Sequence, residues 1–170
     1  MAATLKDAFS RKKCLLESED DLLNKARKLY NQGFCSTIPG QPRISAAQMA
    51  AVEERIQTAV SFNDAVNNVN KFLSKQLQKL KAREERTGKA ESWQQPSGTK
   101  DKLPLGEILK NYIDQQSYLP PNSKLDEISR LDLLRRFWSY FHGLYRYERT
   151  LGYPMSLPES LDKAPPEKTK

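Results

Sequence analysis

A long run of mostly apolar residues, spaced three and four apart, constrains the fold of this chain more than any other feature of its sequence. The run contains Met49, Val52, Ile56, Ala59, Asn63, Val66, Asn70, Leu73, Leu77 and Leu80. This spacing puts the side chains on one face of an α-helix and predicts a single long helix over residues 45 to about 86. Because Phe62, Val69 and Phe72 widen the apolar face, the pattern favours a helical bundle over a bare two-stranded coiled coil.

A second amphipathic helix is predicted over residues 129–151, SRLDLLRRFWSYFHGLYRYERTL. One face carries aromatic residues such as Phe137 and Phe141, so we expect this face to pack into the core. The other face carries Arg135, His142, Arg146 and Arg149, with Arg136 beside them. Ser129 followed by Asp132 has the spacing of a capping box, in which a serine oxygen accepts a hydrogen bond from a free backbone N–H at the helix start.

Two further capping boxes mark predicted helix starts, Ser18 with Asp21 and Ser45 with Gln48. Apolar residues at helical spacing also predict a first helix over residues 3–16.

A short helix is predicted over residues 105–113, and no strand pattern of useful length is present. The predicted fold class is therefore all-α, a bundle of four to five helices with one long central helix. We expect one helical domain over residues 1–153. The remainder, residues 154–170, is rich in proline and charge and is expected to be a flexible tail.

The arginines of the last predicted helix allow two interpretations. They are either an ordinary solvated helix face or a row that binds phosphate groups, for which the planar guanidinium is well suited. Only Asp132 and Glu148 offer acidic partners on the same helix, so most of the arginines are expected to lack a local ion pair. On the phosphate-binding interpretation, replacing Arg135, Arg146 or Arg149 should leave the fold intact.

The end of the long predicted helix is strongly basic. Its positive residues are Lys71, Lys75, Lys79, Lys81, Arg83, Arg86 and Lys89, against Glu84 and Glu85. Lysines stacked four residues apart repel one another unless an anion neutralises them, which favours a polyanion-binding face. The alternative is a solubilising helix end whose cations complement the helix dipole.

Overall composition agrees with a polyanion-binding role without proving it. The 170-residue chain has a net charge of +7 and 38% hydrophobic residues, and a basic balance favours nucleic acid as a partner. No run of 18 apolar residues is present, and the N-terminus lacks the apolar segment of a secretory signal. Cys14 and Cys35 form no metal or disulfide framework. We therefore expect a cytoplasmic protein with no membrane contact.

The sequence contains no pattern typical of an enzyme. The one histidine, His142, has no carboxylate or cysteine at ligand spacing, so it is expected to be a surface or phosphate-contacting residue rather than a metal ligand or a general base. No metal, cofactor or catalytic residue is predicted. Trp93 lies in a polar loop over residues 87–103, where it either stacks on a base or a partner or folds back onto the core.

Residues 128–137, ISRLDLLRRF, are similar to the helix start found in small subunits of type III CRISPR effector complexes. The rest of the chain resembles that family in size, charge and helix content, and a small subunit of a type I complex is equally compatible.

The resemblance implies a non-catalytic subunit of an RNA-guided ribonucleoprotein in antiviral defence, stacked in several copies along the complex. Its expected partners are other effector subunits, copies of itself, guide RNA and target nucleic acid. Its basic helix faces would bind the backbone of the target or displaced strand. The predicted binding residues are Lys71, Lys75, Lys79, Arg83, Arg86, Arg135, Arg136, Arg146 and Arg149. The alternative is a helical adaptor that binds a protein through the long amphipathic helix, and a small enzyme with dispersed catalytic residues is a third, weaker possibility.

Overall fold

The protein is all-α over the residues that its computed structural model describes, which are 12, 13, 15–35, 42–120 and 125–151. These residues contain five α-helices with described bounds and one short 3-10 helix, and no strand beyond an isolated bridge between Pro96 and Pro104. Residues 12, 13 and 15–17 are also helical. The α-helices are α1 (Glu19–Asn31), α2 (Ala46–Gln57), α3 (Phe62–Thr87), α4 (Leu105–Asp114) and α5 (Glu127–Leu151), and the 3-10 helix is Ser92–Gln94. The predicted fold class is confirmed. The predicted tail at 154–170 and most of the predicted first helix at 3–16 lie outside the described residues.

The single long helix predicted over residues 45 to about 86 is wrong, because the chain breaks it into α2 and α3. The break is a capping box that the periodicity concealed. Ser61 Oγ accepts a hydrogen bond from the Asp64 backbone N–H at 3.1 Å, and Asp64 Oδ2 accepts one from the Val60 N–H at 3.1 Å. The first bond satisfies a backbone donor that a new helix start leaves free, and the second ties the residue before the cap to the same aspartate. The turn therefore has its own local stabilisation and interrupts the helix.

The break also changes which residues of α3 face the core. Its buried residues are Phe62, Ala65, Val69, Leu73 and Leu77, a face rotated away from the predicted seam. Asn63 is consequently exposed. Asn70 lies at the edge of the face, where its Nδ2 donates to Asp114 Oδ1 on α4. The asparagines therefore avoid burial in an apolar seam.

Helix starts elsewhere follow the predicted caps only in part. Ser45 caps α2 as predicted, accepting from the Gln48 N–H at 3.3 Å. Ser18 precedes α1, but its side chain makes no capping bond. The predicted start of α5 at Ser129 is wrong, since the helix begins at Glu127 and Asp126 Oδ1 accepts from the Ser129 N–H at 2.9 Å. An aspartate three residues upstream outcompetes the serine as the cap.

Helix α5 packs against α1, α2 and α3. Its aromatic face is buried as predicted. The Phe137 ring stacks against Tyr112 at 5.2 Å and Tyr118 at 5.4 Å between centroids, and Phe141 meets Phe34 edge-on at 5.1 Å. Such ring pairs add to the stabilisation from apolar burial. The core is therefore built around one face of α5.

The polar loop between α3 and α4 is held against this core. Trp93 is fully buried and its Nε1 donates to Gln48 Oε1 at 2.9 Å, so it folds back onto the core rather than facing a partner. Arg43 ties the same loop to the end of α1 by donating to Gly33 O and to Pro96 O, the latter at 2.9 Å. Gly33 has φ +118°, and a Cβ there would lie 2.6 Å from the Gly98 nitrogen, so this contact requires glycine.

Replacing Ser61 by alanine should destabilise the protein by about 1 kcal/mol, because the Asp64 N–H loses its acceptor at the start of α3. Chemical denaturation of the variant and the parent protein measures the difference. Ser74→Ala is the matched control, since Ser74 is exposed in the middle of α3 and its replacement should leave stability unchanged or raise it slightly. Equal destabilisation by both changes would show that the break does not depend on the cap.

Candidate nucleic-acid interface

The nine residues predicted to bind nucleic acid divide into two groups with different surroundings. Five of them belong to α3, and four belong to α5. The α3 group is Lys71, Lys75, Lys79, Arg83 and Arg86, and the α5 group is Arg135, Arg136, Arg146 and Arg149. The members of the two groups have different partners, so they are not equally available to an external anion.

The α3 group forms a basic row along one exposed side of the helix. Lys71, Lys75, Lys79 and Arg86 are all exposed, and no described carboxylate forms an ion pair with any of them. At 100° and 1.5 Å per residue, the four positions fall within an arc of about 80° and extend over about 22 Å. We call these four residues the α3 basic row. Its charge is available to an external anion.

Arg83 differs from the α3 basic row because it has a partner within the chain. Its Nε lies 3.3 Å from Glu91 Oε2, in a pair whose side chains are both largely solvent-accessible. Exposed pairs of this kind contribute little to stability. Arg83 is thus partly neutralised, although it sits near the row.

The donors of Arg135 are bound to backbone carbonyls of the same chain. Its Nη2 donates to the carbonyls of Gln57 at 3.1 Å and Ala59 at 3.0 Å, and its Nε donates to Ile56 O at 3.4 Å. The last carbonyls of a helix lack intrahelical partners, so the guanidinium acts as a C-terminal cap for α2. Its donors are therefore engaged by backbone, which argues against phosphate binding by Arg135.

Two of the other α5 arginines lie beside acids that come from other helices. Arg136 Nη1 lies 3.7 Å from Glu19 Oε1 on α1, and Arg146 Nη2 lies 3.3 Å from Glu53 Oε2 on α2. Only the acids of the same helix can be recognised from spacing, so these partners were missed. The side chain of Arg149 lies outside the described part of the chain, and its predicted role stays a prediction.

Glu19 also organises the junction between α1 and α5 through a tyrosine. Tyr140 donates its hydroxyl to Glu19 Oε1 at 2.5 Å. Burial of the ring, followed by the hydrogen bond to Glu19, raises the pKa of Tyr140 to about 12. Tyr140 therefore stays protonated at neutral pH and holds Glu19 beside Arg136.

His142 is buried rather than exposed, contrary to the prediction. Its Nδ1 lies 2.7 Å from Glu53 Oε2, the same oxygen that Arg146 approaches. Burial lowers the pKa of His142, and this effect exceeds the opposing attraction of Glu53 while Arg146 adds to it. A neutral imidazole that donates its Nδ1–H to Glu53 fits these surroundings. His142 thus joins α5 to α2 and has a structural role.

A residue that the sequence analysis missed, Arg55, lies close to the α3 basic row. Its guanidinium carbon sits 4.2 Å from the centroid of the Phe72 ring, and its Nη1 donates to Ala51 O at 2.6 Å. A groove of about 440 Å³ runs beside this pair, and it is lined by Glu54, Arg55, Thr58, Asn68, Lys71, Phe72 and Lys75. A continuous helix would put Arg55 about 24 Å along the axis from Lys71. The turn at Ser61 brings them together, so the error about the long helix concealed Arg55.

Metal-ligand clusters and membrane-spanning helices were both sought among the described residues. No cluster of three or more histidine, cysteine, aspartate or glutamate side chains is placed to hold a metal ion among them. None of the described helices combines the length and apolar character needed to cross a membrane. The basic row and the adjoining groove are the features of this surface with a recognisable chemical preference, which is for anions.

Replacing Arg135 by alanine should lower the free energy of unfolding by about 2 kcal/mol, because three carbonyls at the end of α2 lose a charge-assisted donor. Arg136→Ala is the matched control, since it removes only a half-exposed pair and should cost less than about 1 kcal/mol. Denaturation midpoints of both variants decide the comparison. If the two variants are equally stable, Arg135 does not act as a cap.

His142 should make stability fall as the pH drops below about 6.5, its unfolded pKa. The folded pKa is lower than this value, so between the two the unfolded state binds more protons and stability rises with pH. His142→Asn keeps a donor near the Nδ1 position and should flatten this part of the profile. The measurement is the melting temperature of both proteins between about pH 5 and 7.5. If the two melting temperatures differ by the same amount at every pH in that range, the folded pKa of His142 is not lowered.

Known proteins provide no relative from which a role could be transferred. No protein-family model, curated protein or solved structure matches this chain.

Proposed function

We propose that this protein is a non-catalytic nucleic-acid-binding subunit that contacts the sugar–phosphate backbone through the α3 basic row. The observation that carries the proposal is the set of four exposed cations on one side of α3, none of which is paired with a described carboxylate. Phosphate groups are the natural partners of such a row, and binding them releases condensed counterions. The protein would therefore bind strands of unrelated sequence with similar affinity.

The assembly we propose is an RNA-guided CRISPR effector complex, in which the protein is a small subunit. This part of the proposal rests on the resemblance of residues 128–137 to small subunits of that family. In such a complex guide pairing reads the sequence, and protein subunits hold backbone. A rigid helix with a backbone-binding row meets that requirement. The genes that flank this one test the assignment, since neighbours unconnected with nucleic-acid interference would contradict the complex while leaving backbone binding untouched.

We place most of the proposed interface on α3 rather than on α5. Arg135 caps α2, and Arg136 and Arg146 each lie beside a glutamate from another helix. To bind phosphate, these groups would have to leave partners within the fold. The lysines of α3 have no such competing carboxylate among the described residues. We therefore assign the main backbone contacts to the α3 basic row.

The adaptor alternative has less support because its proposed binding surface is used within the chain. Met49, Val52 and Ile56 are fully buried, as are Val69 and Leu73. A protein partner could reach this seam only if α2 and α3 separated from α4 and α5. The exposed side of α3 is instead basic, which suits a polyanion.

Changing Lys79 and Arg86 together to glutamine should weaken binding of single-stranded nucleic acid and reduce the salt slope of log K by about 1.4, or about 0.7 for each lost phosphate contact. The reason is that both residues are exposed in the α3 basic row. Fluorescence anisotropy with two unrelated oligonucleotides over a range of salt measures the effect, and both should weaken equally.

The control for this change is a second variant with the same loss of charge elsewhere. Lys12 and Lys28 are exposed in the N-terminal part of the chain, and α1, which contains Lys28, packs against α5. Lys12→Gln with Lys28→Gln should leave the salt slope within experimental error of the parent protein. If both double variants lose affinity equally, binding depends on net charge and the α3 basic row is not a site.

A further inference from the structure

The groove between α2 and α3 has the size and charge of a site for one phosphorylated unit. Its volume of about 440 Å³ is at the low end of pockets that hold small ligands, so it has room for one nucleotide of a strand. Three of its lining residues are cations, Arg55, Lys71 and Lys75, and Glu54 is its one carboxylate. The net positive charge of the lining selects an anion.

Arg55 is held in place before any ligand arrives. One face of its guanidinium lies over Phe72 at 4.2 Å, and Nη1 is fixed on Ala51 O at 2.6 Å. Arginine has five N–H donors, and among the described residues only the carbonyl of Ala51 accepts from Arg55. A planar group fixed on an aromatic ring loses little conformational freedom when it binds an oxyanion. The remaining N–H donors of Arg55 are therefore preorganised on one side of the groove.

The lysines opposite complete the site from α3. Lys71 and Lys75 are exposed, four residues apart on the same side of the helix, where like charges repel one another. An anion seated between them and Arg55 would remove that repulsion. Lys75 is followed along the same side by Lys79 and Arg86, so a strand that leaves the groove passes directly onto the rest of the α3 basic row.

We propose that this groove seats one phosphodiester of a single-stranded nucleic acid, with Arg55, Lys71 and Lys75 as its ligands. The inference rests on the proposed function. It adds that one phosphodiester of the strand is held in the groove and that Arg55 of α2 helps to bind it. The remaining cations of the row then contact successive backbone positions beyond the groove. A flexible single strand can bend one phosphodiester into the groove more readily than a stiff duplex can, so single strands bind more tightly than duplex of the same length.

The test uses a thymidine oligonucleotide of about 12 nucleotides with the full chain. Arg55→Gln should lower affinity about tenfold at low salt, as expected for loss of a charge-assisted contact. Lys75→Gln should have a similar effect and, because Lys75 is exposed, should leave the melting temperature close to that of the parent protein. Lys28→Gln is the control and should change affinity less than about twofold. Melting temperatures of all variants are measured beside the affinities.

A second measurement locates the strand directly. Acetylation of lysine amines, followed by mass spectrometry, should show that the oligonucleotide protects Lys71 and Lys75 several-fold while leaving Lys28 reactive. The same experiment is repeated with pyrophosphate and with adenosine monophosphate at matched phosphate concentration. Weaker protection by these small anions supports a strand site, whereas equal protection would overturn it and leave a small-anion site.

The outcomes separate this inference from the proposed function. If Arg55→Gln and Lys75→Gln bind normally while the Lys79 and Arg86 double variant is weakened, the groove inference is overturned and the proposed function stands. If none of these variants loses affinity, both fail. If duplex binds as tightly as single strands, the strand class assigned to the groove is wrong.

Discussion

The guanidinium of Arg135, fixed on the last carbonyls of α2, is the contact on which the arrangement of the helices depends. It joins the centre of α5 to the turn between α2 and α3 through Gln57 and Ala59. On the other side of that turn Ser61 starts α3 with its own cap. Two polar contacts a few residues apart therefore stabilise the turn from which α3 leaves α2, and the buried apolar faces of both helices pack in agreement with that turn.

In this arrangement the cations of α5 and those of the α3 basic row have different roles. On α5, Arg135, Arg136 and Arg146 meet backbone carbonyls at the end of α2 or glutamates of α1 and α2, and these contacts join the helices. The four residues of the α3 basic row are exposed, and none of them forms an ion pair with a described carboxylate. A buried or shared arginine is costly to remove from its partners, since the carbonyl or carboxylate left behind would also be unpaired. The two groups have similar sequence patterns, and only the fold distinguishes them.

Local patterns were sufficient for the helical class, the aromatic face of α5 and the cap at Ser45. They were insufficient where two signals competed. The three-and-four spacing runs through residues 58–61 without interruption, so the weaker Ser61–Asp64 signal was overlooked. They also failed wherever a partner came from a distant helix, as with Glu53 beside His142 or Phe72 beneath Arg55. Pairings of that kind depend on how helices are arranged, which spacing within one helix does not specify.

Both tryptophans of the chain, Trp93 and Trp138, are fully buried, and they lie in the loop before α4 and in α5 respectively. Their fluorescence therefore reports the integrity of the interior and is largely insensitive to a strand bound along α3. Because Trp93 is tied to Gln48 of α2, detachment of its loop would alter the emission even while α5 remained packed. Intrinsic emission thus offers an optical measure of folding that is independent of any labelled ligand.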